Sequence, residues 1–362
     1  MAMNETEGRF LVLHEFIKAA KNKLSPNIWD YLVGATETET TLCRNRAAID
    51  QVALRPRVLN DVSRVDTGTD FLGHRIDLPI ILAPVGSLES FEAGGGASVA
   101  RGAGMARVPF MLSSVSQPGL EETASHATGP KIFQLYVRGG PDFVDDHATR
   151  AIAAGYDAFC ITVDTAHYSR RERDIAKRFV KSWRAVATGM DHQAALNWDD
   201  IRRFKDKHRI PLILKGIGTA EDAALAVRAG VEMIYVSNHG GRQLDGGRGS
   251  LDVVPEVVEA VGGRAKIIVD GSFSRGTDLV KAVALGADYV GIGRLYLYGL
   301  AADGANGIAQ LLAILKDEVT RALGLTGVTS FAQLNRSHVH LGAPLVNFPH
   351  VHSAFPLLRE GY

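Results

Sequence analysis

Residues 211–293 read PLILKGIGTAEDAALAVRAGVEMIYVSNHGGRQLDGGRGSLDVVPEVVEAVGGRAKIIVDGSFSRGTDLVKAVALGADYVGIG. One theme recurs in this stretch: a short β-rich apolar run, a polar or glycine-rich junction, then a longer amphipathic stretch rich in alanine and valine. Such alternation predicts parallel strands joined by crossover helices. Extended outward, the same theme gives apolar runs at 79–83, 110–112, 132–135, 158–163, 211–215, 233–237, 266–269 and 288–292. Helical candidates fill intervals at 97–106, 141–155, 219–230, 251–263 and 276–287, several of them closed by glycine, the residue that helix C-termini prefer. Eight such units predict the α/β class, as a closed (β/α)8 TIM barrel. The competing architecture is a doubly wound open sheet, but no G-x-G-x-x-G follows the first strand, which argues against a dinucleotide fold.

Ahead of these units, residues 11–24, 27–34 and 40–49 carry helical patterns, so residues 1–60 are expected to form an N-terminal helical segment capping the barrel. Residues 61–362 are then the barrel with a C-terminal helix at 307–325 and a tail beyond 340 that has no periodicity. That tail is expected to pack as irregular chain on its own protein or on a neighbouring subunit. Its neighbourhood contains His338, His340, His350 and His352, whose spacing matches no compact metal site, so no metal is expected.

Composition narrows the function classes. Of 362 residues, 46% are hydrophobic and 22% charged, enough apolar material for one large core and too much for a disordered chain. Forty basic and forty acidic side chains cancel, so no overall field draws the protein to nucleic acid or to an anionic membrane. No run of about 18 apolar residues appears, and the polar opening MAMNETEGRF lacks the apolar core of a secretory leader, so a cytoplasmic protein without membrane insertion is expected. Cys43 and Cys160 stand far apart, which excludes a disulfide framework and a cysteine-rich zinc site.

In a closed parallel barrel the working residues lie at the C-terminal ends of strands. Polar or glycine-rich groups recur there in almost every unit: Pro84-Val85-Gly86, Ser113, Gln134 with Tyr136, Thr162 with Asp164, Lys215, the run Ser237 to Asp245, Asp270-Gly271-Ser272, and Gly293-Arg294. At the last two strands, the run from Asp270 to Gly276 opens a helix and Gly291 to Arg294 ends a strand. Backbone N–H groups, a helix N-terminus and a guanidinium meet there in the pattern of a phosphate site. The sixth unit is more specific: in Ser237-Asn238-His239-Gly240-Gly241-Arg242, a histidine able to move a proton near neutrality stands three positions from an arginine able to hold a carboxylate.

This run, S-N-H-G-G-R-Q-L-D at 237–245, resembles the active-site signature of the FMN-dependent 2-hydroxy acid oxidases and dehydrogenases, the group of glycolate oxidase, lactate oxidase and mandelate dehydrogenase. Agreement extends along most of the chain, through Trp29-Asp30-Tyr31, Asn45-Arg46, Ala83-Pro84, Leu112-Ser113-Ser114, Phe133-Gln134-Leu135-Tyr136, Thr162-Val163-Asp164, Arg170-Arg171-Glu172 and Leu214-Lys215-Gly216. The resemblance implies FMN as cofactor, a small 2-hydroxy acid as substrate, oxygen or another molecule as electron acceptor, and a homotetramer. It implies that Tyr31, Tyr136, Arg171, His239 and Arg242 line the substrate pocket, that Arg171 and Arg242 clamp the carboxylate, and that His239 is the base. Asp164 would bond His239 and, by its charge, raise the imidazole pKa. Pro84, Val85 and Gly86 would flank the reactive edge of the flavin, Ser113, Gln134 and Thr162 its pyrimidine side, and Lys215 the ring nitrogen that becomes anionic on reduction. Ser237, Asp270, Gly271, Ser272, Ser274, Gly293 and Arg294 complete the expected cofactor set.

Three positions depart from the family pattern. Ser274 stands where relatives commonly carry an arginine for the FMN phosphate, leaving Arg294, backbone groups and Arg275. Val115 replaces the bulky aromatic of glycolate oxidases, which leaves room for a substrate larger than glycolate. Gly86 replaces an alanine beside the flavin, which bears on how an acceptor reaches it. The stretch 165–197 resembles the mobile active-site loop of the family; apart from Arg171, its charges at Arg170, Arg173, Lys177, Arg178, Lys181 and Arg184 read as a solvated face. Two other functions fit a phosphate-binding barrel: an FMN-dependent isomerase or oxidoreductase of modified amino acids or peptides, and a non-catalytic binding protein. The two guanidinium groups beside His239 speak against the isomerase, because a diphosphate substrate needs no carboxylate clamp.

Overall fold

The computed structural model describes residues 9–185 and 187–342, with 354, 355 and 358; His350, His352 and most of the tail lie outside them. Three helices come first: α1 (Leu13–Lys23), α2 (Pro26–Val33) and α3 (Thr40–Asp50). α2 begins where it does because the Ser25 hydroxyl accepts the Ile28 N–H and Pro26 occupies the first helical position, where its missing donor costs nothing.

Eight strands follow, β1 (Ile80–Leu82), β2 (Phe110–Ser113), β3 (Lys131–Leu135), β4 (Ala158–Thr162), β5 (Leu212–Ile217), β6 (Met233–Val236), β7 (Lys266–Val269) and β8 (Tyr289–Ile292). They pair in parallel and in chain order, and β8 returns to β1 with Val290 opposite Ile80, so the sheet is a closed barrel. That pairing removes the open-sheet alternative. Each strand is followed by helix, in order α4 (Gly95–Ala106), α5 (Leu120–Ser125) and α6 (Pro141–Ala153) after β1 to β3. After β4 the chain makes three short helices, α7 (Glu172–Ala176), α8 (Ser182–Ala185) and α9 (Met190–Ala195), before α10 (Trp198–Lys207). The circuit closes with α11 (Ala220–Arg228), α12 (Ser250–Val261), α13 (Gly276–Ala284) and α14 (Arg294–Leu325). α14 contains a break at Asp303 and Gly304, so the helix expected at 307–325 is its second half.

Both faces of the strands are apolar, as a parallel sheet covered on both sides requires. Ile80, Leu82, Phe110, Leu112, Leu212 and Leu214 join the outer layer with the helices. The alternate positions, Ile81, Met111, Ile132, Cys160, Ile213, Tyr235 and Ile268, meet inside the ring. A hairpin of Thr69–Phe71 and His74–Ile76 plugs the N-terminal end, with Phe71 against Tyr289 at 5.2 Å between ring centres. Each fully buried side chain of this size contributes roughly 1.5–3 kcal/mol, so the plugged interior is a rigid floor.

One buried ion pair ties the leading helices to the barrel. Arg46 on α3 donates to both carboxylate oxygens of Asp278 on α13, at 2.7 and 3.0 Å, and both side chains are almost fully buried. Asp278 also accepts the backbone N–H groups of Ser274 and Arg275, at 2.9 and 3.1 Å, and so shapes the loop between β7 and α13. Burial alone would raise the Asp278 pKa, but the Arg46 guanidinium outweighs it and holds the carboxyl below its ordinary value. Arg46 also pairs with Asp50 of its own helix, so Asp278→Asn leaves the buried guanidinium with one carboxylate instead of two and should cost about 3 kcal/mol of stability, the low end for breaking a buried pair. Urea denaturation of the two proteins checks this; a loss under 1 kcal/mol, the scale of a surface pair, contradicts the assigned burial.

Candidate active site

The period of two that builds the floor also builds the site above it. Two residues after six of the inward apolar positions, where the strand ends, the side chain becomes polar: Met111 leads to Ser113, Ile132 to Gln134, Cys160 to Thr162, Ile213 to Lys215, Tyr235 to Ser237, and Ile268 to Asp270, while Ile81 leads to Ala83. All six of these polar side chains are buried. Above them lies a cavity of about 1360 Å³, counted to its open mouth.

The cavity wall gathers most of the residues singled out from sequence. Pro84, Val85 and Gly86 line it after β1, Lys215 on β5, and Asp270, Gly271, Ser272 and Ser274 after β7. Gly293 and Arg294 line it after β8, and Tyr31, Tyr136, Arg171, His239 and Arg242 complete the wall. Ser113, Gln134, Thr162, Ser237 and Asp164 do not reach the wall and sit around it. Several of these buried polar groups have no partner among the described residues: both amide atoms of Gln134, the Thr162 hydroxyl, Asp270 Oδ1 and the Ser272 hydroxyl. A buried polar atom left unpaired costs about 1–3 kcal/mol, so a set of them around one cavity fits a polar ligand with several donors and acceptors. The pyrimidine edge and phosphate of FMN present those groups. Lys215 Nζ donates to Ser237 Oγ at 3.0 Å and lies 3.8 Å from Asp270 Oδ2, which fixes one positive charge at the floor of the cavity.

His239 is held in an uncommon backbone conformation, φ +60°, by the Ser237 hydroxyl accepting its N–H at 3.0 Å. Gly241 follows at φ +75°, and a Cβ there would stand 2.6 Å from the backbone nitrogen of Leu42, so only glycine lets this loop pack on α3. His239 Nδ1 sits 3.0 and 3.2 Å from the two oxygens of Asp164, while Nε2 is 3.2 Å from the Tyr136 hydroxyl. A carboxylate only accepts, so the proton belongs on Nδ1 and Nε2 is the free acceptor. The expected rise in the His239 pKa does not occur. Burial lowers it, and the opposing pull of Asp164, itself countered by Lys215 and Arg171, does not make up the difference. Asp164, for which burial works in the other direction, is nonetheless held ionised by His239 and Lys215.

Arg242 is anchored by Nη1, which donates to the carbonyls of Tyr31 and Gly34 at 2.7 Å each, and its guanidinium lies 4.8 Å from the centre of the Tyr31 ring. Burial and the neighbouring Arg171 charge push its pKa down, yet a guanidinium stays protonated at neutral pH. Among the described residues neither Arg171 nor Arg242 has a carboxylate partner, so one buried and one half-buried cation face the cavity uncompensated. Arg294 is partly committed, donating to the carbonyls of Leu32, Gly34 and Gly240. Arg275, counted as a further phosphate contact, instead pairs with Glu318 and donates to the Ala354 carbonyl. Ser274 turns its hydroxyl to the Ser272 carbonyl at 3.2 Å.

Sequence reasoning missed the contribution of the segment after β4. Gln193 lines the cavity and braces it, donating to the Thr162 carbonyl at 2.8 Å and accepting the Val137 N–H at 2.7 Å. Arg138, Tyr168 and Met190 also line it. One charge of this segment departs from the expected solvated face: Lys181 is buried against Tyr31. Arg170, Arg173, Lys177, Arg178 and Arg184 are exposed, as expected, with Arg173 in a two-point pair with Glu39 and Lys177 paired with Asp30.

The sequence matches the model of the FMN-dependent dehydrogenase family over residues 20–341. Similar curated proteins include glycolate oxidase 3 of Oryza sativa subsp. indica, 39% identical over 347 residues that span 90% of this chain and 95% of that protein. The L-lactate oxidase of Nostoc sp. (strain PCC 7120 / SAG 25.82 / UTEX 2576) is 37% identical over 356 residues, 91% of this chain and 98% of that one. A crystal structure of mandelate oxidase with 3,3-difluoro-2-hydroxy-3-phenylpropionic acid matches with a TM-score of 0.86 and 38% identity, covering 92% of this chain and 100% of the other. The chain belongs to the FMN-dependent dehydrogenase family; it is an oxidoreductase and FMN is its cofactor. No helix among the described residues is long and apolar enough to cross a membrane.

Gln134→Leu removes two unpaired buried atoms, so it should stabilise the FMN-free protein by about 1 kcal/mol while weakening FMN binding. Urea denaturation of the apoprotein and fluorescence titration with FMN check the two halves. An apoprotein made less stable by the change argues that the amide already has its partners.

Proposed function

We propose that this member of the FMN-dependent dehydrogenase family oxidises an (S)-2-hydroxy acid larger than glycolate to the 2-oxo acid, with His239 as the base. The observation that carries this reading is the pair of guanidinium groups, Arg171 buried and Arg242 half-buried, standing without a carboxylate among the described residues on the same cavity wall as His239. A substrate carboxylate supplies the missing anion, and two-point binding to planar guanidinium groups fixes the 2-carbon in one orientation. Tyr31 and Tyr136 present phenols to the same space, Tyr136 next to His239 Nε2. With its Nδ1 proton held by Asp164, His239 takes the substrate proton at Nε2, and the nearby carboxylate then stabilises the imidazolium.

FMN, when bound, supplies the two-electron acceptor. Ser113, Gln134 and Thr162 would hold its pyrimidine side, Pro84, Val85 and Gly86 its reactive edge, and Lys215 its developing negative charge. Ser237, Asp270 and Gly271 stand beside these groups; Ser272, Ser274, Gly293 and Arg294 would hold the phosphate. The preference for a larger substrate rests on Val115, which lines the cavity with a small side chain packed so close to Gly86 that a Cβ there would come within 2.8 Å of its Cγ2. The mandelate oxidase among the structural neighbours has an aromatic substrate in its name, in keeping with such a wall. The division into a helical cap over 1–60 and a barrel over 61–362, a homotetramer and a cytoplasmic location belong to the same reading; light scattering of the holoenzyme tests the tetramer.

Purified protein should be yellow and should bleach anaerobically with (S)-mandelate or a branched 2-hydroxy acid more readily than with glycolate. His239→Ala should keep FMN bound while lowering kcat/KM by about 10²–10⁴-fold. Retained turnover in that variant moves the base elsewhere. Because only neutral His239 accepts a proton and burial lowers its pKa, kcat/KM should fall on acidification only below the ordinary value of 6.5. An acid limb above pH 7 in the pH profile contradicts that assignment.

A further inference from the structure

Lys181 takes no part in the chemistry above, yet it is 5% exposed. Its Nζ lies 3.4 Å from the centre of the Tyr31 ring and 3.1 Å from Asp174 Oδ2, and Asp174 is itself buried. A lysine stem commonly lies on apolar surface with its head in water, and an ammonium taken out of water needs near-complete compensation. Leucine or methionine would fill the same space at lower cost, so packing does not account for the charge.

Tyr31 explains what the charge touches. Its hydroxyl donates to the Gly86 carbonyl at 3.0 Å, its ring stacks on Phe91 at 5.8 Å, and its carbonyl accepts from Arg242. The ring therefore connects the proposed flavin edge, the carboxylate clamp and, through Lys181, the segment after β4. The same segment is fastened to α2 and α3 by Arg173 with Glu39, by Lys177 with Asp30, and by the Thr36 hydroxyl on the Arg170 carbonyl.

We propose that Lys181 is a positioning residue: laid on the Tyr31 ring and tied to Asp174, it holds that ring and the 165–197 segment in place for substrate binding, without entering proton transfer. This rests on the hydroxy acid reading of the cavity. The groups facing Lys181 are Tyr31 of α2, Asp174 of α7, Arg171 at the start of α7 and Arg242 after β6. Three cations thus share one carboxylate, and burial together with Arg242 and Arg171 pushes the Lys181 pKa down to about 6. A substrate carboxylate lodged between Arg171 and Arg242 relieves that repulsion, so Lys181 takes up a proton on binding. The sign follows: above pH 6 affinity falls as pH rises, because the uptake grows harder. His239 adds a slope of the same sign that is independent of Lys181.

The test compares Lys181→Met and Lys181→Arg in the FMN-loaded full chain. Steady-state rates give KM and kcat for the best 2-hydroxy acid, and flavin absorbance gives Kd for the corresponding 2-oxo acid between pH 5.5 and 8. Loss of the cation–π contact that Lys181, protonated on binding, makes with Tyr31 in the complex predicts KM and Kd about 10-fold higher in Lys181→Met, with kcat within about 2-fold. The Kd should be less pH-dependent, and Lys181→Arg should restore most of the affinity. Unchanged KM, an unchanged pH slope, or an equal loss in both variants overturns the proposal. Chymotrypsin digestion without substrate supplies an independent readout: cleavage within 165–197 should be faster in Lys181→Met than in the parent or in Lys181→Arg, and equal cleavage overturns the tie. If no 2-hydroxy acid bleaches the flavin of the parent protein, the functional reading fails, and the digestion still decides the role of Lys181.

Discussion

Closing eight parallel strands into one ring directs every second side chain into a space that water does not fill. The lower turns of that space are satisfied by Ile81, Met111, Ile132 and their neighbours, which need no partners. One period higher the same rows carry Ser113, Gln134, Thr162, Lys215, Ser237 and Asp270, and no strand is left to pair them. The barrel thus converts a repeating backbone geometry into a convergent set of donors and acceptors, and the unpaired atoms of Gln134, Thr162 and Ser272 are the remainder that a ligand takes up. The leading helices make this arrangement possible: Arg46 neutralises Asp278 under the loop that shapes one end of the cavity, and the carbonyls of α2 and its C-terminal end orient Arg242 and Arg294.

Burial acts on the acids, bases and cations of the site with different results. It keeps His239 neutral at the pH of the cell, which is the form a base needs, while Asp164 remains ionised to receive the imidazolium. It also leaves Arg171 and Arg242 as charges without counter-ions among the described residues, which favours an anionic visitor. The same dry environment therefore favours an anion at this wall and, on the proposed reading, keeps His239 in the form that accepts a proton. Asp164 is needed less to make His239 basic than to fix which nitrogen carries the proton.

The eight strands were legible because each is a short apolar run ahead of a polar or glycine-rich junction, and all eight expected runs coincide with barrel strands. The site residues on them were legible because polar side chains recur directly after those runs; the family resemblance then attached roles to positions such as Tyr31 and Arg171 that no periodicity singles out. The direction of the His239 pKa was not legible: sequence shows that Asp164 and His239 end the fourth and sixth units, and says nothing of how completely the loops above exclude water. Lys181 and Gln193 were missed for a related reason. Between β4 and α10 the chain makes three helices of four to six residues, too short for a hydrophobic stripe to distinguish a buried lysine from a solvated one. Arg275 was misassigned because adjacency to Ser274 does not reveal that Glu318 on α14 takes its guanidinium.

The hairpin beneath the barrel has one more effect. With Phe71 and Ile76 stoppering the lower end, exchange with solvent runs through the upper rim, where the segment after β4 leans across Tyr31.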